Sequence, residues 1–125
     1  LAVCGDVTLL HVMLDNLLRN ALRHTPRGRQ ISVAVSRVGA DCIIAVRDPG
    51  PPMSESQMNA AFDHFSDAPR HSGGRSRGLG LSVAQGIAEL HGGLITVSNV
   101  PAGGCEFAAK LPAAQQPAAV DPCAA

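Results

Sequence analysis

A chain of 125 residues is enough for one packed domain, and 46% hydrophobic against 16% charged residues imply a packed globular domain rather than a chain disordered throughout. Ten basic and ten acidic residues cancel, which removes the electrostatic case for nucleic acid or an anionic membrane as partner. Trp and Tyr are absent and Phe occurs three times, so there is no aromatic platform for stacking single-stranded bases.

The four cysteines, Cys4, Cys42, Cys105 and Cys123, form no CxxC pair and no Cys/His cluster with zinc spacing. They read as reduced, partly buried thiols of a cytoplasmic protein. No apolar run reaches the ~18 residues of a membrane span, and no signal-peptide pattern is visible. The chain opens on Leu1 and reads as a piece of a longer protein.

In chain order, the first element is a helix over 8–24. Leu10, Leu14, Leu17 and Ala21 recur at spacings of four and three, giving one apolar stripe. Asp6 and Thr8 suit its N-terminus, and Pro26 and Gly28 end it. Two strands follow. Ile31, Val33 and Val35 alternate with Ser32, Ala34 and Ser36; Gly39-Ala40-Asp41 reads as the hairpin turn. The run from Cys42 to Val46 is almost wholly apolar, as for a strand buried on both faces.

From Asp48 to Arg77 the character changes. Pro49, Gly50, Pro51 and Pro52 come in immediate succession, with Pro69, Gly73 and Gly74 further on, and helix propensity is confined to about 55–62. A segment this long and irregular is typical of a lid or binding loop. A second long helix is predicted over 79–91, with Leu79, Val83, Ile87 and Leu90 on one face and Gly92-Gly93 as its stop. Two strands close the domain, 94–100 and 105–111, with Cys105, Phe107, Ala109 and Leu111 sharing a face. Residues 112–125, rich in Ala and Pro, read as a disordered tail.

Three places carry candidate chemistry. At 100° per residue, Asn16, Asn20 and Arg23 fall on one flank of the first helix. This is either a solvated polar flank or a site: an amide oxygen suits Mg²⁺, which takes its other ligands from water and phosphate, and a guanidinium can grip phosphate bidentately. Asp48, at a strand end before Pro and Gly, either makes a turn or accepts from an exocyclic amine of a base. Gly78-Leu79-Gly80-Leu81 opens the second long helix, where free N–H groups and the helix dipole attract anions, with Arg75 and Arg77 just upstream; the alternative is a flexible entry loop. Neither GxxxxGK[ST] nor GxGxxG is present.

Four segments in this order resemble the ATP-binding catalytic domain of bacterial sensor histidine kinases. NLLRNALRHTP (Asn16–Pro26) is similar to its asparagine box, VRDPGPP (Val46–Pro52) to its first glycine box, AFDHF (Ala61–Phe65) to its phenylalanine box, and RGLGLSVAQGIAELHGG (Arg77–Gly93) to its second glycine box. The resemblance runs from about Val3 to Leu111. It implies a two-layer α/β sandwich of the Bergerat ATP-binding type: a mixed β-sheet covered by helices on one face, with a long ATP lid over about 49–77 of a domain spanning 1–111.

By position, the resemblance implies that Asn20 coordinates Mg²⁺, Asn16 lies beside the phosphates of ATP and Arg23 contacts phosphate. His24 would pack near the adenine or ribose, Asp48 would accept from the adenine amine and Gly50 would admit the ring. Gly78 and Gly80 would bring backbone N–H groups to the phosphates with Arg77 adding charge, Leu79 and Leu81 would anchor the lid hinge, and Phe62 and Phe65 would pin the lid. Related ATPases, such as DNA gyrase and MutL-type repair proteins, carry a water-activating Glu four residues before the metal Asn. Here that position is Asn16, a poor base, which favours phosphoryl transfer over hydrolysis; transfer needs positioning and charge neutralisation more than a strong base.

The implied activity is donation of the γ-phosphate to a histidine on a dimerisation and phosphoacceptor domain. His11, His24, His64, His71 and His91 lack an acceptor context, so this fragment is not expected to autophosphorylate. The implied partners are that domain and a response regulator, within a cytoplasmic part of a homodimeric parent anchored in the inner membrane. Family members have one more strand before the first helix, so an open sheet edge is expected. The first glycine box departs from DxGxG at Pro52, where proline fixes φ and lacks an N–H. That departure keeps open an alternative, a degenerate interaction module of the same fold with weak or no catalysis. A third reading is a Ser/Thr kinase or ATPase of the same superfamily.

Overall fold

The computed structural model describes residues 1–62 and 79–114, with Leu79 described in its backbone only. The elements are α1 (Val7–Arg23), β1 (Ser32–Val38), β2 (Asp41–Asp48), α2 (Glu55–Ala60), α3 (Leu79–Leu90), β3 (Leu94–Asn99) and β4 (Cys105–Pro112). The strands form one sheet in the order β1-β2-β4-β3, with α1 and α3 side by side over one face. This is the two-layer α/β sandwich expected. One detail differs: every described pairing is antiparallel, so the sheet described is not mixed. The two hairpins β1-β2 and β3-β4 enforce antiparallel pairs, and β2 and β4 join them the same way.

Both ends of α1 are closed by local chemistry. Asp6 Oδ1 accepts from the Leu9 N–H at 3.0 Å, satisfying a donor that has no partner within the helix. At the other end the Thr25 hydroxyl donates to the Ala21 carbonyl at 2.6 Å. Helix α3 stops in a Schellman arrangement: Gly93 N–H reaches the Ala88 carbonyl and Gly92 N–H that of Glu89, at 2.8 and 3.0 Å, with Gly92 at φ 79°. His91 then links the two helices. Its Nδ1 donates to the Ile87 carbonyl at 2.8 Å while Nε2 accepts from the Asp6 N–H at 3.1 Å, which requires the neutral Nδ1–H tautomer.

The core lies between helices and sheet. Met13, Leu17 and Ala21 of α1 and Leu81, Ala84, Ile87 and Ala88 of α3 meet Val46, Ile95, Phe107, Ala109 and Leu111 of the sheet. Strand β4 buries Cys105, Phe107, Ala109 and Leu111 as its alternation predicts. Three burial expectations need correction. The buried face of α3 runs through Leu81, Ala84 and Ala88, whereas Val83 is 39% and Leu90 76% exposed. The reason is that α3 packs against α1 as well as the sheet, and small residues allow that close approach. Strand β2 is not buried on both faces: Cys42, Val46 and Asp48 point under the helices, while Arg47 is exposed and pairs with Glu106 across the strands. All of β1 is exposed, although Val33 and Val35 oppose Val46 and Ile44 on the helix side. The helices pack chiefly over β2, β3 and β4 and leave β1 uncovered.

The β3-β4 turn meets the end of β2. Gly104 has φ +93°, and a Cβ there would collide with the Asp48 carbonyl. Gly103, at φ +115°, has open space where its Cβ would be. Both positions penalise an L side chain through backbone strain, but only Gly104 adds a clash with backbone. Chemical denaturation should therefore show Gly103→Ala costing about 1 kcal/mol and Gly104→Ala on the order of 3 kcal/mol or more. Equal costs would mean that the close approach does not constrain the fold.

Candidate functional site

Among the described residues the buried polar or charged side chains are Asn20, Asp48 and Ser82. Two of them, Asn20 and Asp48, are predicted site residues; Ser82, on the first turn of α3 beyond Leu81, carries no sequence signal. Burying polar groups is costly unless each is paired, so this set marks where the fold departs from simple burial economy.

Asn20 is 5% exposed, and its Nδ2 has no hydrogen-bond partner among the described residues. An orphaned buried amide costs about 1–3 kcal/mol. A half-turn of the side-chain amide exchanges its nitrogen and oxygen without changing shape, so the same position can present either a donor or an oxygen ligand. Neighbouring groups are ordered around it. The His24 Nδ1 donates to the Asn20 carbonyl at 2.8 Å, which fixes the half-buried imidazole at the end of α1. Arg23 is exposed beside it.

One turn earlier on α1, half-buried Asn16 faces α3. A Cβ built on Gly80 would stand 3.5 Å from Asn16 Oδ1, so the first turn of α3 lies directly against the Asn16 amide. The asparagine segment and the second glycine segment, more than sixty residues apart, are thus in contact. Leu81 follows, 7% exposed within the core. It anchors α3 just after Gly80. Arg77 and Gly78 lie outside the described residues, as does the Leu79 side chain.

At the other end of the site, Asp48 is 2% exposed at the last position of β2. Its Oδ1 accepts from the Gly50 N–H at 2.9 Å, a local turn that fixes Gly50, itself buried. The carboxylate has two oxygens and about four acceptor sites, so making the turn and accepting from a base amine are compatible roles. Register places Asp48 opposite Cys105, and Cys105 opposite Asn99, along one line across the sheet.

Asn99 had no sequence signal. Its Oδ1 accepts from the Met53 N–H and its Nδ2 donates to the Met53 carbonyl, both at 2.9 Å, and Cys105 Sγ lies 3.3 Å from the same Oδ1. These bonds tie the Pro-rich stretch after Asp48 to the sheet. Helix α2 follows, opened by a capping box in which Ser54 and Gln57 satisfy each other's backbone N–H. Phe62, just past it, stands edge-on to Phe107 with ring centroids 6.2 Å apart. This joins one expected lid-pinning ring to the core; Phe65 lies outside the described residues.

Comparison with known proteins shows the family and the fold. The family profile for "Histidine kinase-, DNA gyrase B-, and HSP90-like ATPase" matches residues 5–115. The chain is 42% identical over 118 residues to the signal transduction histidine-protein kinase AfsQ2 of Streptomyces coelicolor, covering 91% of this chain and 21% of that protein. It is 42% identical over 100 residues to the alginate biosynthesis sensor protein KinB of Pseudomonas aeruginosa, covering 80% and 16%. The chain therefore spans about a fifth of the length of these curated relatives. In three dimensions it superimposes on the mycobacterial sensor histidine kinase MprB with TM-score 0.82 at 25% identity, over 89% of this chain and 76% of that one. The catalytic domain of histidine kinase ThkA aligns with TM-score 0.76 at 29% identity, over 87% and 69%.

The unpaired Asn20 amide yields a direct test. Asn20→Leu keeps the volume and removes an unsatisfied buried group, so the ligand-free domain should gain about 1 kcal/mol in urea denaturation. A loss of similar size instead would mean that the amide is satisfied without ligand.

Proposed function

The chain belongs to the histidine kinase-, DNA gyrase B- and HSP90-like ATPase family, and from that premise we propose that it binds Mg-ATP and presents the γ-phosphate to a histidine on a separate dimerisation and phosphoacceptor domain. The observation that carries this reading is the buried Asn20 amide with an unpaired end, one helical turn from an Asn16 that lies against Gly80. A hard cation fits it: Mg²⁺ accepts an amide oxygen while keeping water and phosphate oxygens. Bound Mg²⁺ would supply charge neutralisation on the β- and γ-phosphates.

The chain's own residues divide the remaining work. Asn20 holds the cation and Asn16 borders the phosphates. Arg23 pairs with a phosphate oxygen, and Arg77 adds charge beside Gly78. Backbone N–H groups of Gly78 and Gly80 receive the phosphates, and at Gly80, in the first turn of α3, the helix dipole favours negative charge. Asp48 accepts from the adenine amine and Gly50 admits the ring, while His24, held by the Asn20 carbonyl, packs near the ribose or adenine. Leu79 and Leu81 anchor the hinge. Asn16 cannot deprotonate water effectively, so transfer to a protein acceptor is favoured over hydrolysis. The further partners on this reading are a response regulator and the second copy of a membrane-anchored, homodimeric parent, with this domain on the cytoplasmic side.

Binding of a non-hydrolysable ATP analogue, with and without Mg²⁺, tests the reading. The wild-type domain should bind with a Kd of about 1 µM to 1 mM, in a Mg²⁺-dependent way that Asn20→Ala and Asp48→Ala abolish. Supplied with a phosphoacceptor domain, it should label the histidine rather than release free phosphate. A folded wild-type domain that binds no nucleotide would instead identify the degenerate interaction module, with Pro52 as its origin; Pro52→Gly then tests for recovery. Release of phosphate without histidine labelling would point to an ATPase.

A further inference from the structure

Between Asp48 and Ser54 the backbone has few means of holding a shape. Pro49, Pro51 and Pro52 have no N–H, so Gly50 and Met53 supply the donors of this stretch. Both are taken by side chains: Gly50 by Asp48 Oδ1 and Met53 by Asn99 Oδ1. Asn99 also donates to the Met53 carbonyl, so one amide engages both backbone groups of Met53, much as a neighbouring strand would. Cys105 Sγ adds contacts to the Pro51 carbonyl at 3.6 Å and to Asn99 Oδ1 at 3.3 Å. The Met53 side chain is buried in the core. Asp48 therefore fixes one end of the stretch and Asn99 the other, and the two lie on the same line across the sheet through Cys105.

We propose that Asn99 is a positioning residue for the nucleotide site: by clamping Met53 it holds the Pro49–Pro52 backbone beside Asp48 in the one path that admits the base. This rests on the reading that Asp48 and Gly50 face the adenine. The clamp acts by shifting a population. If the stretch leaves its path, the binding-competent fraction falls and the apparent Kd rises by the same factor. Asn99 is an exposed residue on β3, so shortening it opens no cavity. Its loss should affect the local path and not the core. The clamp also offers a physical account of how a box with Pro52 in place of glycine keeps a defined shape. Side-chain acceptors replace the backbone freedom that glycine would have provided.

The test compares Asn99→Ala and Asn99→Asp with wild type. Measured well below the melting temperature, Asn99→Ala should weaken Mg-ATP and Mg-ADP by the same factor, about tenfold, because the clamp serves the base end and not the phosphates. Amide exchange at Met53 should rise by a similar factor while the melting temperature shifts by only a few degrees. Asn99→Asp keeps an acceptor for the Met53 N–H and should recover part of the affinity. Unchanged nucleotide affinity, or an unchanged Met53 exchange rate, would overturn the clamp. So would a loss confined to ATP with ADP spared. A wild-type domain that binds no nucleotide would overturn the underlying reading; wild-type binding that Asp48→Ala abolishes and Asn99→Ala leaves intact would overturn the clamp alone.

Discussion

The close packing of α1 against α3 is the constraint on which the site depends. Small residues recur along α3: Gly80 stands next to Asn16 of α1, and Ala84 and Ala88 are fully buried. Because the helices lie so near each other, Leu17, Met13 and Phe107 fill the space beneath them with almost no exposure, and the polar flank of α1 is drawn inward. Asn16 and Asn20 are on that flank. A Cβ at position 80 would stand in van der Waals contact with the Asn16 amide. The His91 link between Ile87 and Asp6 fixes the far ends of the two helices, so their relative position is set at both ends.

The sheet contributes the second fixed point. Three strand ends converge where Asp48, Cys105 and Asn99 stand in register, and Gly104 lets the β3-β4 turn close onto the Asp48 carbonyl. The outer face of the sheet is held by ion pairs instead. Arg47–Glu106 and Lys110–Asp41 span β2 and β4 at 2.6 and 3.5 Å. Such partly exposed pairs contribute little energy, about 0–1 kcal/mol each, but they pin the strand register that the site at the sheet end requires.

Much of this was legible in the chain. The cap at Asp6, the stops at Pro26 and Gly92-Gly93, the hairpin turn at Gly39 and the alternation of β4 are local rules, and each is observed. The four-box order also pointed to the family. Burial was less legible. Val83 and Leu90 fit the spacing of an apolar stripe yet face outward, because periodicity cannot tell which overlapping stripe another helix will cover. Val33 and Val35 alternate correctly and remain exposed, because the helices pack chiefly over the other three strands. Within the site, Asn20 and Asp48 could be selected by type and position, but their near-complete burial depends on partners far along the chain. Asn99 was invisible: a single amide in a strand has no motif, and its role arises from contact with Met53, forty-six positions earlier.

Phe62 stands edge-on to Phe107, and Leu81 lies in the same core cluster as Phe107. Two parts of the chain that flank the site are thus fastened to one framework. Attachments that share a partner do not contribute independently. Loss of the Phe107 ring would therefore loosen both at once, whereas a change on exposed β1 would reach neither.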